Sequence, residues 1–195
     1  MTSAGRPISR RRLGALAGLP LASFLPAAQS ADLWSALRDG RHLAVMRHAL
    51  APGNYDPPGF RLGDCATQRN LSDEGRAQAR RAGDLFRANA IAAVRVFSSQ
   101  WCRCIDTATL MGLGKVTEQP LLNGFTGDRE APRSKQVEAL LAWIAAQDPL
   151  PPLLLVTHGI VMSALCKVSA DSGEIAVMRR EANNQLTLAG RLPTA

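Results

Sequence analysis

The chain has 195 residues, 46% of them apolar, with 23 Lys and Arg against 16 Asp and Glu and a formal charge of +7. That length fits one domain with its own core. The surplus charge sits at the start, where residues 1–30 hold four arginines and no acid, so the remainder carries only +3, has no Lys/Arg-rich run and few aromatics, and excludes a nucleic-acid-binding stripe.

The basic start reads as an export signal. Ser9-Arg10-Arg11-Arg12-Leu13 is a twin-arginine pattern, and the apolar run 13–25 is too short to span a bilayer. Ala28-Gln29-Ser30 resembles a small-residue cleavage site, which predicts residues 1–30 as a signal peptide and 31–195 as a single mature domain. The expected location is periplasmic or secreted, with no stable membrane insertion once the signal is removed.

Apolar runs then alternate with amphipathic stretches, the pattern of an α/β fold. A first strand is predicted over 42–47, followed by a Pro- and Gly-rich stretch, 50–64, without period, read as a long loop. Ser72 caps a helix that has Asp73 and Glu74 in its first turn and Gly75, Ala79, Ala82 and Phe86 on one face. Residues 94–97 form the second strand. Ser98-Ser99 is then read as the opening of a helix with Trp101, Cys104, Ala108 and Met111 along its buried stripe, closing near Gly112. A short strand follows around 115–118, an amphipathic helix through Val137, Leu140, Leu141 and Ile144, a buried strand over 153–157 and a helix over 160–166. Residues 174–178 and 185–188 read as two edge strands.

Three of these strands end in residues suited to a phosphate: Arg47 and His48 after the first, 98–103 with Arg103 after the second, and His158 after the fourth. Ligands of open α/β sheets bind beyond the carboxyl ends of the strands. Guanidinium forks hold phosphoryl oxygens bidentately, and a neutral imidazole can attack phosphorus in line. The same fixed cations argue against a bound metal, and no carboxylate lies at ligand spacing, so neither metal nor cofactor is expected.

Arg47-His48-Ala49, Ser98-Ser99 with Arg103 and Thr107-Ala108, and Thr157-His158-Gly159 together resemble the histidine phosphatase superfamily. Arg69-Asn70-Leu71-Ser72 with Gly75 and Gln78-Ala79 resembles that family's helix entry, and the likeness runs over 43–165. It implies a phosphoglycerate mutase-like fold, a three-layer αβα sandwich around a mixed, mostly parallel sheet. It implies His48 as phosphate acceptor, Arg47 and Arg103 as clamp, His158 completing the pocket and Asn54 on the phosphate.

Two departures stand out: Ala49 replaces the usual Gly, and neither position where the family places its proton-donating acid, Asn123 and Ile160, holds a carboxylate. Asp56, Asp64, Asp128 and Glu130 are the candidates, and the donor is left open among them. His42 is expected to be partly exposed, Arg69 a solvated loop charge, and Ser98 and Ser99 a turn and helix cap.

An exported chain permits disulfides. Cys102 and Cys104 are too close in one helix turn to pair with each other, so Cys65 is expected to bond one of them, with metal binding by Cys-x-Cys as the rival and Cys166 buried and free. The activity expected is an exported, metal-independent phosphatase working through a phosphohistidine on a small phosphorylated substrate or envelope component. The alternative is an inert phosphoanion-binding protein of the same fold.

Overall fold

The computed structural model describes residues 1, 27–91, 93–125 and 130–192. The predicted signal lies almost wholly outside the described residues. The first element, α1 (Ala27–Ala36), has no counterpart among the predicted elements and spans the predicted cleavage point after Ser30. Its buried Leu33 and Trp34, with Leu37 just beyond, join the core, and the Trp34 ring meets Phe86 edge-on at 5.1 Å.

Six strands follow as one sheet: β1 (His42–Arg47), β2 (Arg95–Ser98), β3 (Val116–Glu118), β4 (Leu153–Thr157), β5 (Ile175–Arg180) and β6 (Leu186–Leu192). Their order is β3-β2-β4-β1-β5-β6, with β3, β2, β4 and β1 parallel and β5 and β6 antiparallel to their neighbours. Period-two alternation splits the strands cleanly. Ala44, Met46, Leu154 and Val156 face α1, α2 (Asp73–Ala88) and α3 (Cys102–Met111), whereas Leu43, Val45, Leu153 and Leu155 face α4 (Glu130–Ala145) and α5 (Gly159–Cys166). The result is the expected three-layer α/β sandwich.

Local chemistry explains α2 well. The Ser72 hydroxyl accepts from the Gly75 amide, Asp73 and Glu74 complement the helix start, and Arg87 lies in the last turn. Gly75 and Gly83 are there for approach: a Cβ on either would fall 2.0 Å from the carbonyl oxygen of Leu50 or Met111. Thus α2 presses directly on the loop after β1 and on the end of α3.

Three expectations are corrected. Residues 174–178 do not form an edge, because β5 lies between β1 and β6, and its run Ile175, Ala176, Val177 and Met178 is buried as an interior strand requires. Ser98 closes β2 rather than opening a helix, and α3 starts at Cys102 with Trp101 in the cap position. His42 is 8% exposed, its Nδ1 2.9 Å from a carboxylate oxygen of Asp39, so the turn before β1 buries it.

Candidate active site

The parallel register brings the strand ends together. Arg47 of β1 lies opposite Thr157 of β4, and Ser98 of β2 opposite Val156. One residue further on, the His48 amide donates to the Thr157 carbonyl and the Ser99 amide to the Val156 carbonyl, each at 2.9 Å. Thus His48, Ser99 and His158 leave the sheet side by side. Thr107 locks α3 to this corner: its hydroxyl accepts from the Ala49 amide at 3.0 Å and donates to the Arg103 carbonyl at 2.7 Å.

Beyond these ends lies a cavity of about 670 Å³ whose lining includes Arg47, His48, Asn54, Asp56, Arg69, Arg103 and His158. All four residues on which the phosphoryl-transfer expectation depends, His48, His158, Arg47 and Arg103, line it together. Asn54 lines it as well, as an exposed residue.

The two imidazoles are 5.6 Å apart between centroids. His48 is 2% exposed and its Nδ1 lies 2.8 Å from the Ala49 carbonyl, which can only accept, so Nδ1 carries the proton and Nε2 keeps a lone pair. Burial, opposed by that hydrogen bond and reinforced by the charges of Arg103, Arg69 and Arg47, lowers its pKa to about 3. Burial and the Arg103 charge likewise hold His158 well below the ordinary histidine value. Its Nδ1 lies 3.4 Å from the Arg103 Nη2, a group with no acceptor, so Nδ1 presents a lone pair. Nε2–H then donates to the Ser99 hydroxyl at 2.9 Å, and Ser99 donates onward to the Asn123 Oδ1 at 3.1 Å.

Three guanidinium side chains line this space, those of Arg47, Arg69 and Arg103, and the Nε of each is buried without a hydrogen-bond partner. Each is anchored elsewhere, Arg47 by donating to the Ala170 carbonyl at 2.9 Å, Arg69 to the Ala51 carbonyl and Arg103 to Asp56 at 2.8 Å. Arg69 therefore overturns its reading as a solvated loop charge. The long loop folds back over the pocket and half-buries it. The Arg-Asn-Leu-Ser motif was the available signal for it, since the helix cap that follows fixes where the preceding arginine must lie.

Among the candidate proton donors, Asp56 lines the cavity with its carboxylate below the usual pKa: backbone and side-chain hydrogen bonds to Arg69 and Arg103, with the Arg103 charge, outweigh burial. Asp64 is spent on an exposed ion pair with Arg61. Asp128 and the Glu130 side chain lie outside the described residues. Among the described residues, no three His, Cys, Asp or Glu side chains gather as a metal-ligand set.

Cys65 bonds Cys102, resolving the pairing left open above, and leaves Cys104 and Cys166 buried as thiols pushed up to about 12 by burial. The bridge fastens the loop to the residue before Arg103. Closing a 37-residue separation stabilises the fold by about 4 kcal/mol on the chain-entropy account. In denaturant without reductant, alkylation is expected to label two cysteines, rising to four after reduction, and the reduced protein should melt at least several degrees lower. Four labels before reduction would remove the bridge.

The depressed histidines set a pH dependence of stability. Their unfolded forms take up protons near pH 6.5 while the folded forms stay neutral, so stability falls as pH drops from about 6.5 toward 3 and is unaffected by these groups above it. Denaturant titrations at pH 7 and 5 should show a lower midpoint at pH 5, and His48→Ala should flatten that slope.

Residues 43–126 match the model of the histidine phosphatase superfamily (branch 1). No curated protein matches the chain. Among solved structures, a protein histidine phosphatase SixA complexed with tungstate is 16% identical with a TM-score of 0.56, over 78% of this chain and 97% of that one. A phosphoserine phosphatase from Entamoeba histolytica in complex with phosphoserine is 15% identical with a TM-score of 0.60, over 78% and 97%. A mycobacterial glucosyl-3-phosphoglycerate phosphatase is 18% identical with a TM-score of 0.52, over 76% and 96%. At such identities these likenesses show the fold. The likeness to the histidine phosphatase superfamily thus rests on residues 43–126, less than half of the chain, and the solved structures add a shared fold.

Proposed function

We propose that the chain is a phosphatase that moves the phosphoryl group of a phosphomonoester, or a related phosphoryl compound, onto His48 and then to water. The observation that carries this reading is the convergence of the His48 imidazole and three arginine side chains on the lining of one cavity. A phosphate monoester with about −1.5 to −2 charge would pair with those guanidiniums. His48 Nε2 attacks phosphorus as the ester P–O bond breaks and the leaving oxygen gains a proton. Water then attacks phosphorus, forming a P–O bond as the P–Nε2 bond breaks, which releases inorganic phosphate and restores neutral His48. Arg47, Arg69 and Arg103 stabilise the equatorial oxygens in both steps, His158 completes the pocket, and Asn54 reaches the substrate from the loop.

Several neighbours of this fold are described as phosphatases, one complexed with tungstate and one with phosphoserine. The cavity of about 670 Å³ is far larger than a phosphate and has Tyr55, Phe60 and Phe125 on its walls, which suits a sizeable organic group on the ester oxygen. A small phosphorylated molecule or a phosphorylated envelope component is the proposed substrate. The twin-arginine pattern and the Cys65–Cys102 bridge support work outside the cytoplasm, and no described helix is long and apolar enough to cross a membrane.

A second reading has one observation in its favour. Of the candidate donors, Asp56 at the cavity is engaged with Arg103 and Asp64 with Arg61, which suits a protein that holds a phosphoanion without turning it over. Purified protein incubated with an aryl phosphate decides between them. Orthophosphate release that persists in chelator supports the phosphatase, whereas stabilisation by tungstate without any release supports the binding protein.

A further inference from the structure

We propose that Asp56 is a positioning residue of the phosphoryl pocket, a fixed anion that turns the free edge of Arg103 toward the substrate. This rests on the phosphatase reading and deepens it. The Asp56 side chain is 11% exposed, and both its oxygens are committed. Oδ1 accepts from the Arg103 Nη1 at 2.8 Å and from the Arg69 amide at 2.9 Å, while Oδ2 accepts from the Trp101 indole at 3.1 Å.

Three donors fill three of the carboxylate's roughly four lone-pair sites, and every one of them favours the ionised form. The carboxylate is accordingly held below its ordinary pKa, which unsuits it to donate a proton to a leaving group. What it does instead follows from which atoms it occupies. With Nη1 taken, Arg103 presents Nη2, 3.4 Å from the His158 Nδ1, and Nε, which has no partner. Those two share one edge of the fork, the pairing through which a guanidinium can take two phosphoryl oxygens once a substrate reaches it.

The same contacts bind three separate stretches of chain. Through Asp56 the loop after β1 grips α3 at Trp101 and Arg103 and its own far end at Arg69, beside the Cys65–Cys102 bridge. Charge is balanced too. Three guanidiniums with neutral histidines would leave the pocket at +3, and Asp56 brings it to +2, matching a phosphomonoester dianion.

The test uses Asp56→Asn in the full chain, with turnover of an aryl phosphate and an alkyl phosphate, and tungstate affinity measured by calorimetry. A positioning role predicts equal losses in kcat/KM on both esters, roughly 10- to 100-fold for a charged hydrogen bond lost, and weaker tungstate binding. Loss confined to the alkyl ester would make Asp56 the proton donor and overturn the proposal, as would unchanged kinetics. Tighter tungstate binding would overturn it as well, reducing Asp56 to a counter-charge. If the wild type hydrolyses neither ester, the phosphatase reading fails while the tungstate arm still tests the aiming of Arg103. Should Asp56→Asn fail to fold, Trp101→Phe removes one donor and keeps a ring beside His158; equal, smaller losses on both esters support the proposal, and selective or absent loss overturns it.

Discussion

Replacing His48 by alanine is expected to eliminate turnover, lowering kcat on an aryl phosphate by about 10⁴-fold or more, as removal of an enzymic nucleophile does. The side chain is buried against the end of β1 and makes one hydrogen bond, to its neighbour's carbonyl, so its removal costs the fold little beyond a small cavity. The rest of the pocket, including all three arginines, keeps its anchors. The variant should therefore still be stabilised by tungstate while forming no acid-labile phosphoenzyme in rapid-quench experiments with a labelled substrate. Retained turnover would transfer the nucleophile's role to another group and sink the phosphohistidine mechanism. An aryl phosphate is the right probe, because its leaving group scarcely needs a proton and so isolates attack from proton donation.

The second largest effect is expected at Arg103. It sits in the first turn of α3, 5% exposed, between Asp56 on one side and His158 on the other. Arg103→Ala should cost about 2.7 to 4 kcal/mol of transition-state stabilisation, roughly 100- to 1,000-fold in kcat, if it acts as one preorganised oxyanion donor. It also strands Asp56 with fewer partners, so thermal stability should fall and circular dichroism must accompany the kinetics. Arg103→Lys separates the two effects. It keeps a positive charge near Asp56 but lacks the planar fork, so stability should recover more than rate. Equal recovery of both would mean that charge alone, and not bidentate geometry, is what Arg103 supplies.

Much of the frame was legible because it rests on local signals. The bounds of β1 and β4 follow from continuous apolar runs, and α2 from its cap, acidic first turn and apolar stripe. Where local signals misled, a tertiary contact had overridden them. Ser98 and Ser99 look like a helix cap, yet Ser99 is drawn to His158 across 59 residues, and the helix starts later. Residues 174–178 look like an edge until β6 pairs with them. Arg69 looks solvated because it lies in a polar stretch, and only the fold of that stretch over the pocket buries it.

By itself, the sequence determined the α/β class, the strands that end in Arg47, His48 and His158, and the chemical kind of ligand that such residues suit, since spacing and residue type are written in the chain. Only the tertiary structure decided that these groups share one cavity, that Cys102 and not Cys104 takes Cys65, that Arg69 is a third cation there and that Asp56 is an anchored anion. The reason is range. Periodicity and capping act over a few residues and leave a local imprint, whereas burial, pKa and the aim of a guanidinium depend on partners 13 to 123 positions away, brought near only by parallel strand pairing and a loop pinned to α3.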